Sequence, residues 1–112
     1  MTAAVSPAAL RGMLDDGGEI ALVDVREELI YSQRHLLLAR SAPLSRLELR
    51  FGHLVPRRAT RIVLCDGNDG LAGRAAAVLS RNGYCDLRIL AGGVEAWAAA
   101  GFELFSGVNV PS

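Results

Sequence analysis

Apolar and polar positions along the chain alternate between two periods, one typical of buried strands and one typical of amphipathic helices. Apolar runs of strand length occupy residues 19–25, 39–42, 61–65 and 85–90. Segments with helical spacing lie before, between and after them, at residues 7–16, 26–33, 45–54, 70–82 and 92–101. This order predicts an α/β fold, a three-layer α/β/α domain in which helices cover both faces of a central, mostly parallel sheet.

Residues that start and stop helices support these boundaries. Ser6 is the predicted N-cap of the first helix, with Pro7 at the first helical position. Ser45, followed three residues later by Glu48, has the spacing of a capping box. We expect Asn68 or Asp69 to cap the helix over 70–82, and a glycine at position 83 to end it.

Length and composition fit one domain rather than two. The chain has 112 residues, half of them apolar, and a formal net charge of zero, so neither disorder nor a membrane span is expected. We place the domain at residues 1–105 and interpret 106–112 as a tail that could link it to a further domain. The first residues lack the pattern of a signal peptide, and two cysteines do not form a disulfide framework. The expected location is therefore cytoplasmic, without a membrane.

Charge is concentrated in the middle of the chain, where residues 34–61 carry seven arginines and one acidic residue. This basic segment is either a docking surface for an acidic partner or an ordinary solvated face. It lacks the interleaved aromatic residues and motifs of nucleic-acid binders, so no nucleic acid is expected. The chain has only two histidines, far in sequence from its cysteines, so we expect neither a metal site nor a cofactor.

The stretch from Ile62 to Gly73, IVLCDGNDGLAG, carries the candidate chemistry. An apolar strand runs into a loop rich in glycine and aspartate, which then becomes a helix. Successive backbone N–H groups that converge at a helix N-terminus bind anions and lower the pKa of a thiol placed among them. The predicted anion cradle consists of Gly67, Asn68, Asp69, Gly70 and Leu71.

Two longer stretches, residues 22–48 and residues 62–102, carry a set of spaced motif residues. The first contains Asp24, Val25, Arg26, Glu27, Tyr31, His35, Ala39, Pro43 and Leu44, and the second ends in Gly92, Gly93 and Trp97 with the spacing Gly-Gly-apolar-x-x-Trp. These residues match the two halves of one family pattern, so the chain resembles the rhodanese homology domain, a family of sulfurtransferases. The resemblance covers about residues 6–105 and implies supporting roles around the site for Asp24, Arg26 and His35.

The resemblance also implies where the nucleophile should be. Active members carry Cys-x-x-Gly-x-Arg-Ser, then two residues and Ala-Ala, and the cysteine accepts sulfur as a persulfide. Counted back from the Ala-Ala pair at 75–76, that position holds Asp66, while the arginine position holds Leu71. A carboxylate cannot replace a thiolate in sulfur transfer, and it repels a second anion by about 4 kcal/mol at ~4 Å and an effective dielectric near 20. We therefore expect a catalytically impaired module with a structural, regulatory or binding role in a larger protein.

The alternative keeps Cys65 as the nucleophile of an active sulfurtransferase, with thiosulfate or another sulfane-sulfur compound as donor. The loop is then one residue longer, as in the Cys-x5-Arg loop of related phosphatases. Its seventh residue is Leu71, and the nearest arginine is Arg74 in the predicted helix. Cys85 is interpreted as a structural or surface residue. A companion domain or protein is the expected partner in the impaired case.

Overall fold

The computed structural model of the chain describes residues 2–106. Within that range the strands are β1 (Ala3–Val5), β2 (Ala21–Asp24), β3 (Arg40–Ser41), β4 (Ile62–Cys65) and β5 (Leu87–Leu90). The helices are α1 (Pro7–Asp15), α2 (Glu28–Gln33), α3 (Leu47–Leu54), α4 (Leu71–Arg81) and α5 (Gly93–Ala99). A single 3₁₀ turn, Leu44–Arg46, leads into α3. None of these helices has the length and apolar character needed to cross a bilayer.

The five strands form one sheet in the order β1-β5-β4-β2-β3, and every neighbouring pair is parallel. In a parallel sheet the chain must cross from one end of a strand to the start of the next, which the intervening helices accomplish. The predicted α/β architecture is confirmed, and within the described residues the sheet is parallel throughout. All strands therefore end at the same edge, where the loop after β4 lies.

Helices cover both faces of the sheet, and each face has its own apolar core. One core lies beneath α3 and α4 and includes Ile62 and Leu64 of β4. The other lies beneath α1, α2 and α5 and includes Val63 and Cys65 of the same strand. The strict alternation of β4 side chains between the two cores follows from the period of two in an extended strand.

Two features of the first sixteen residues show what the pattern could and could not predict. Ser6 caps α1 as predicted, because its Oγ accepts a hydrogen bond from the backbone N–H of Ala9 at 3.1 Å. Strand β1 was not predicted. It has only three residues, which pair with β5, so it offers too few positions for a periodicity to be visible.

Two predicted helix caps are wrong. The side chain of Ser45 does not cap α3. Its hydroxyl donates instead to the carboxylate of Glu27 at 2.9 Å, and α3 starts after Arg46 without a side-chain cap. The N-cap position of α4 is Gly70, in a left-handed conformation with φ 85°, rather than Asn68 or Asp69. Most of the predicted tail at 106–112 lies outside the described residues.

Replacement of a core leucine of β4 tests the packing of this sheet. Leu64 is fully buried, so we expect Leu64→Ala to reduce the free energy of unfolding by about 2–5 kcal/mol, through lost apolar contacts and the cavity left behind. The same substitution at Leu49, whose side chain is 80% exposed, should change it by less than about 0.5 kcal/mol. Urea unfolding monitored by circular dichroism measures both, and equal losses would contradict the assignment of the core.

Candidate functional site

The loop between β4 and α4 is built around the carboxylate of Asp66. This side chain is 4% exposed. Its Oδ1 accepts a hydrogen bond from the backbone N–H of Asn68 and its Oδ2 accepts one from the backbone N–H of Ala72, both at 2.8 Å. The first turn of a helix leaves its N–H groups without intrahelical partners. Asp66 therefore caps α4 from a position five residues before the helix begins.

The rest of the predicted cradle is present but exposed. Gly67, Asn68, Asp69 and Gly70 are all solvent-accessible, and Leu71 is partly buried at the start of α4. Asn68 has a positive φ of 62°, which asparagine tolerates better than most residues. The carboxylate of Asp69 accepts a weak hydrogen bond from the N–H of Leu71 at 3.3 Å. Two carboxylates thus already face the N–H groups that an anion would need.

A second glycine turn holds this loop from the side of α5. The backbone N–H of Val94 donates to the main-chain carbonyl of Asp66 at 2.9 Å. Gly93 has φ 69°, and a Cβ at this position would lie 2.3 Å from the carbonyl oxygen of Asp66 and 2.8 Å from the nitrogen of Asn68. Only glycine allows this close approach. The role of Gly93 in holding the loop was not predicted, although its Gly-Gly motif was noted.

Cys65, the alternative nucleophile, lies outside the loop. It is the last residue of β4, is fully buried, and pairs in register with Asp24 of β2. Its Sγ is 3.5 Å from the main-chain carbonyl of Val23. Burial raises the pKa of the Cys65 thiol well above its ordinary value, and the carboxylate of Asp24 raises it further. Reactive cysteines, in contrast, have a lowered thiol pKa and are partly exposed to solvent.

Asp24 and Arg26 form a buried ion pair beside the loop. The side-chain exposures are 0% and 8%, and the shortest contact, from Nη2 of Arg26 to Oδ2 of Asp24, is 2.7 Å. Burial alone would lower the pKa of Arg26, but the hydrogen-bonded carboxylate outweighs this and raises it. Arg26 also donates to the main-chain carbonyl of Arg34. The supporting role expected for this pair stays a prediction.

The other two supporting residues of the prediction are His35, which follows α2, and Arg74, which lies in α4. His35 is fully buried, its Nδ1 is 2.8 Å from the carbonyl oxygen of Leu36, and its ring stacks on Tyr31 at 4.2 Å. These contacts indicate a packing role. Arg74 is exposed on α4, and α4 covers the face of the sheet opposite Cys65. The structure therefore does not bring Arg74 and Cys65 together.

An ion pair joins the two segments that flank the loop. Nη1 of Arg34, at the end of α2, lies 3.0 Å from Oε2 of Glu95 in the first turn of α5. Both side chains are more than half exposed, so the pair contributes little stability. Sequence reasoning did not predict it, since 61 residues separate the partners.

The residues that form this site lie within a match to a protein-family model. The model of the rhodanese-like domain matches residues 6–100, which include the whole loop, the buried ion pair and the glycine turn before α5. The chain belongs to the rhodanese-like domain family.

Within the described residues, no three histidine, cysteine, aspartate or glutamate side chains gather as metal ligands would.

Two curated proteins are similar in sequence to this rhodanese-like domain. The probable adenylyltransferase/sulfurtransferase MoeZ of Mycobacterium tuberculosis is 32% identical over 95 residues, which are 84% of this chain and 24% of the relative. The uncharacterized protein YqhL of Bacillus subtilis is 37% identical over 76 residues, 68% of this chain and 59% of the relative. The chain thus spans about a quarter of MoeZ and three-fifths of YqhL.

Solved structures share the fold. The crystal structure of a thiosulfate sulfurtransferase from Pseudomonas aeruginosa has a TM-score of 0.89 and 45% sequence identity, covering 94% of this chain and 20% of that one. A rhodanese from E. coli with bound anions has a TM-score of 0.69 and 26% identity, covering 79% of this chain and 99% of that one. The likeness therefore covers nearly the whole chain of the E. coli rhodanese and one-fifth of a longer sulfurtransferase.

The contact between the glycine turn and the loop can be tested by a pair of glycine substitutions. We expect Gly93→Ala to lower the free energy of unfolding by roughly 2–4 kcal/mol, because a methyl group would overlap the backbone of the loop at a positive φ. The matched control is Gly73→Ala in α4, where nothing lies within 4 Å of the new Cβ. That change should stabilise the domain by up to about 1 kcal/mol. Denaturant unfolding of both variants measures these free energies. An unchanged free energy of unfolding in Gly93→Ala would refute the contact.

Alkylation of the two cysteines tests the burial of Cys65. Cys85 is exposed and Cys65 is buried, with a thiol whose pKa is raised by burial. We expect iodoacetamide to add one group to the native protein near pH 8, none to a Cys85→Ser variant, and two to the unfolded wild type. Intact mass counts the groups. Modification of native Cys85→Ser at the rate of a free thiol would show that Cys65 reaches solvent.

Proposed function

We propose that this rhodanese-like domain is catalytically impaired and serves as a structural, regulatory or binding module within a larger protein. The observation that carries the proposal is the position of the Asp66 carboxylate, which accepts hydrogen bonds from Asn68 and Ala72 at the start of α4. Counted by the family pattern, Asp66 stands where active members have their cysteine. A carboxylate there leaves no thiol to accept sulfur.

Charge supports the same proposal. Sulfane-sulfur donors such as thiosulfate are anions, and a loop that binds them must offer N–H groups and positive charge. In this loop Asp66 and Asp69 already accept hydrogen bonds from the start of α4. Leu71 replaces the arginine of the family pattern. An incoming anion would meet negative charge rather than a cation.

The module role is proposed from the lengths of the relatives. The chain corresponds to one-fifth of the P. aeruginosa thiosulfate sulfurtransferase and about a quarter of MoeZ, so in both the matching domain is part of a longer chain. A companion domain could carry out chemistry that this domain lacks. The presence of such a companion domain, and of a sulfur donor for it, belongs to the proposal.

The basic segment 34–61 gives less support to docking than its composition suggested. Its ion pairs are Arg34 with Glu95, Arg50 with Glu28, Arg57 with Glu19, and Arg61 with Asp16. Among residues 2–106, four of the seven arginines therefore have acidic partners from other parts of the fold. This compensation favours the interpretation as a solvated face, and docking to an acidic partner stays a prediction.

A second candidate function is an active sulfurtransferase that uses Cys65. The observation in its favour is that the thiol lies directly before the loop, within electrostatic range of Arg26. In this reaction the thiolate attacks the outer sulfur of thiosulfate, the S–S bond of the donor breaks, sulfite leaves with the electron pair, and a cysteine persulfide forms. The buried thiol would first have to be exposed.

Intact mass after incubation with thiosulfate distinguishes the two functions. In a Cys85→Ser background, which removes the exposed thiol, we expect no sulfur to be added to the reduced protein, because Cys65 is buried and position 66 carries a carboxylate. The same protein with Cys65→Ser is the control. One added sulfur atom that disappears with Cys65→Ser would establish the active enzyme and refute the proposal.

An Asp66→Cys variant, made with both native cysteines changed to serine, tests the role given to position 66. Its new thiol faces the N–H groups that now bind the carboxylate, which should lower its pKa and make it nucleophilic. We expect this thiol to react with iodoacetamide faster than the buried Cys65 thiol does in a Cys85→Ser variant. A thiol that is inert to iodoacetamide would show that position 66 is not a nucleophile position.

A further inference from the structure

A groove of about 480 Å³ lies on the α1 and α5 face of the sheet, separate from the loop after β4. None of its lining residues belongs to residues 65–70. Leu22 and Leu36 lie at its base, and Trp97, Phe102 and Phe105 form an aromatic side. Its volume and apolar lining are those of small-molecule sites in proteins.

The aromatic side of the groove is held in place by the main chain. The indole N–H of Trp97 donates to the main-chain carbonyl of Glu103 at 3.0 Å, and the rings of Trp97 and Phe102 lie 4.5 Å apart at 39°. Phe105 exchanges two backbone hydrogen bonds of 2.8 Å with His35. The site is therefore formed before any ligand arrives.

The charged residues of the groove leave a net negative charge. Arg11 and Asp15 pair with each other at 3.2 Å across one turn of α1, so their charges compensate. Glu103, the remaining ionisable residue of the lining, is exposed, and within residues 2–106 no side chain pairs with its carboxylate. Aromatic ring faces attract cations, and the charge of Glu103 in the same lining adds to this attraction.

We propose that this groove binds an apolar organic cation, an ammonium group carrying an aryl or branched alkyl substituent. The apolar part would contact the leucines at the base and the aromatic rings, and the ammonium group would lie near Glu103. This site is independent of the proposed role of Asp66, because the two share no residue.

Trp97 gives a direct readout, since it is the only tryptophan of the chain. Benzyltrimethylammonium is the probe, and the NMR signal of the Trp97 indole N–H reports binding. We expect a saturable shift of that signal, with weaker binding of neutral benzyl alcohol and weaker still of benzenesulfonate. Equal affinity for the cation and the sulfonate, or a shift that does not saturate, would overturn the proposal.

A pair of matched variants tests the part played by charge. Glu103→Gln keeps the shape of an exposed side chain and removes its charge, so it should weaken binding of the cation by roughly twofold to fivefold, the range for a partly exposed ion pair. Glu48→Gln, on α3 at the opposite face of the sheet, should leave binding unchanged. Identical affinities in the wild type and Glu103→Gln would refute the assignment of Glu103.

Discussion

The buried ion pair of Asp24 and Arg26 fixes the edge of the sheet at which the loop is built. A buried charge pair is costly unless its hydrogen bonds are satisfied, and here the guanidinium group reaches both the carboxylate and the carbonyl of Arg34. The end of β2 and the end of α2 are thereby fixed to each other. A Cβ on Gly67 would lie 3.9 Å from the Arg26 side chain, so the pair also supports the loop. Removing one partner would leave an uncompensated buried charge.

Within that frame, Asp66 makes the loop complete without a ligand. The first N–H groups of α4 carry partial positive charge and must find an acceptor. An anion-binding loop leaves them for the ligand, whereas Asp66 supplies the acceptor from the chain itself. The start of α4 in this rhodanese-like domain is therefore stabilised by a carboxylate of the chain itself.

Periodicity predicted the architecture because each face of each strand and helix must meet a core. It could not predict the caps, which depend on contacts between distant residues. The hydroxyl of Ser45 binds Glu27, eighteen positions earlier, and Asp66 reaches Ala72 across six positions, where a cap normally spans two or three. The groove beside Trp97 also arises from segments far apart in sequence. At the site, the loop and its aspartates could be predicted from the sequence. The N–H groups that these carboxylates bind became visible only in the folded structure.

The order of Cys65 and Asp66 shows why a register of one residue decides the chemistry. Strand pairing with β2 continues through Cys65, so its side chain must enter the core beneath α1 and α5. A thiol is one of the side chains most readily buried, and there it acts as a small apolar group. The next side chain leaves the ladder and turns towards α4, where a carboxylate finds N–H donors. With the two residues exchanged, a carboxylate would be buried in an apolar core and a thiol would face the helix N-terminus. The observed order therefore places the thiol in the apolar core and the carboxylate among backbone N–H donors.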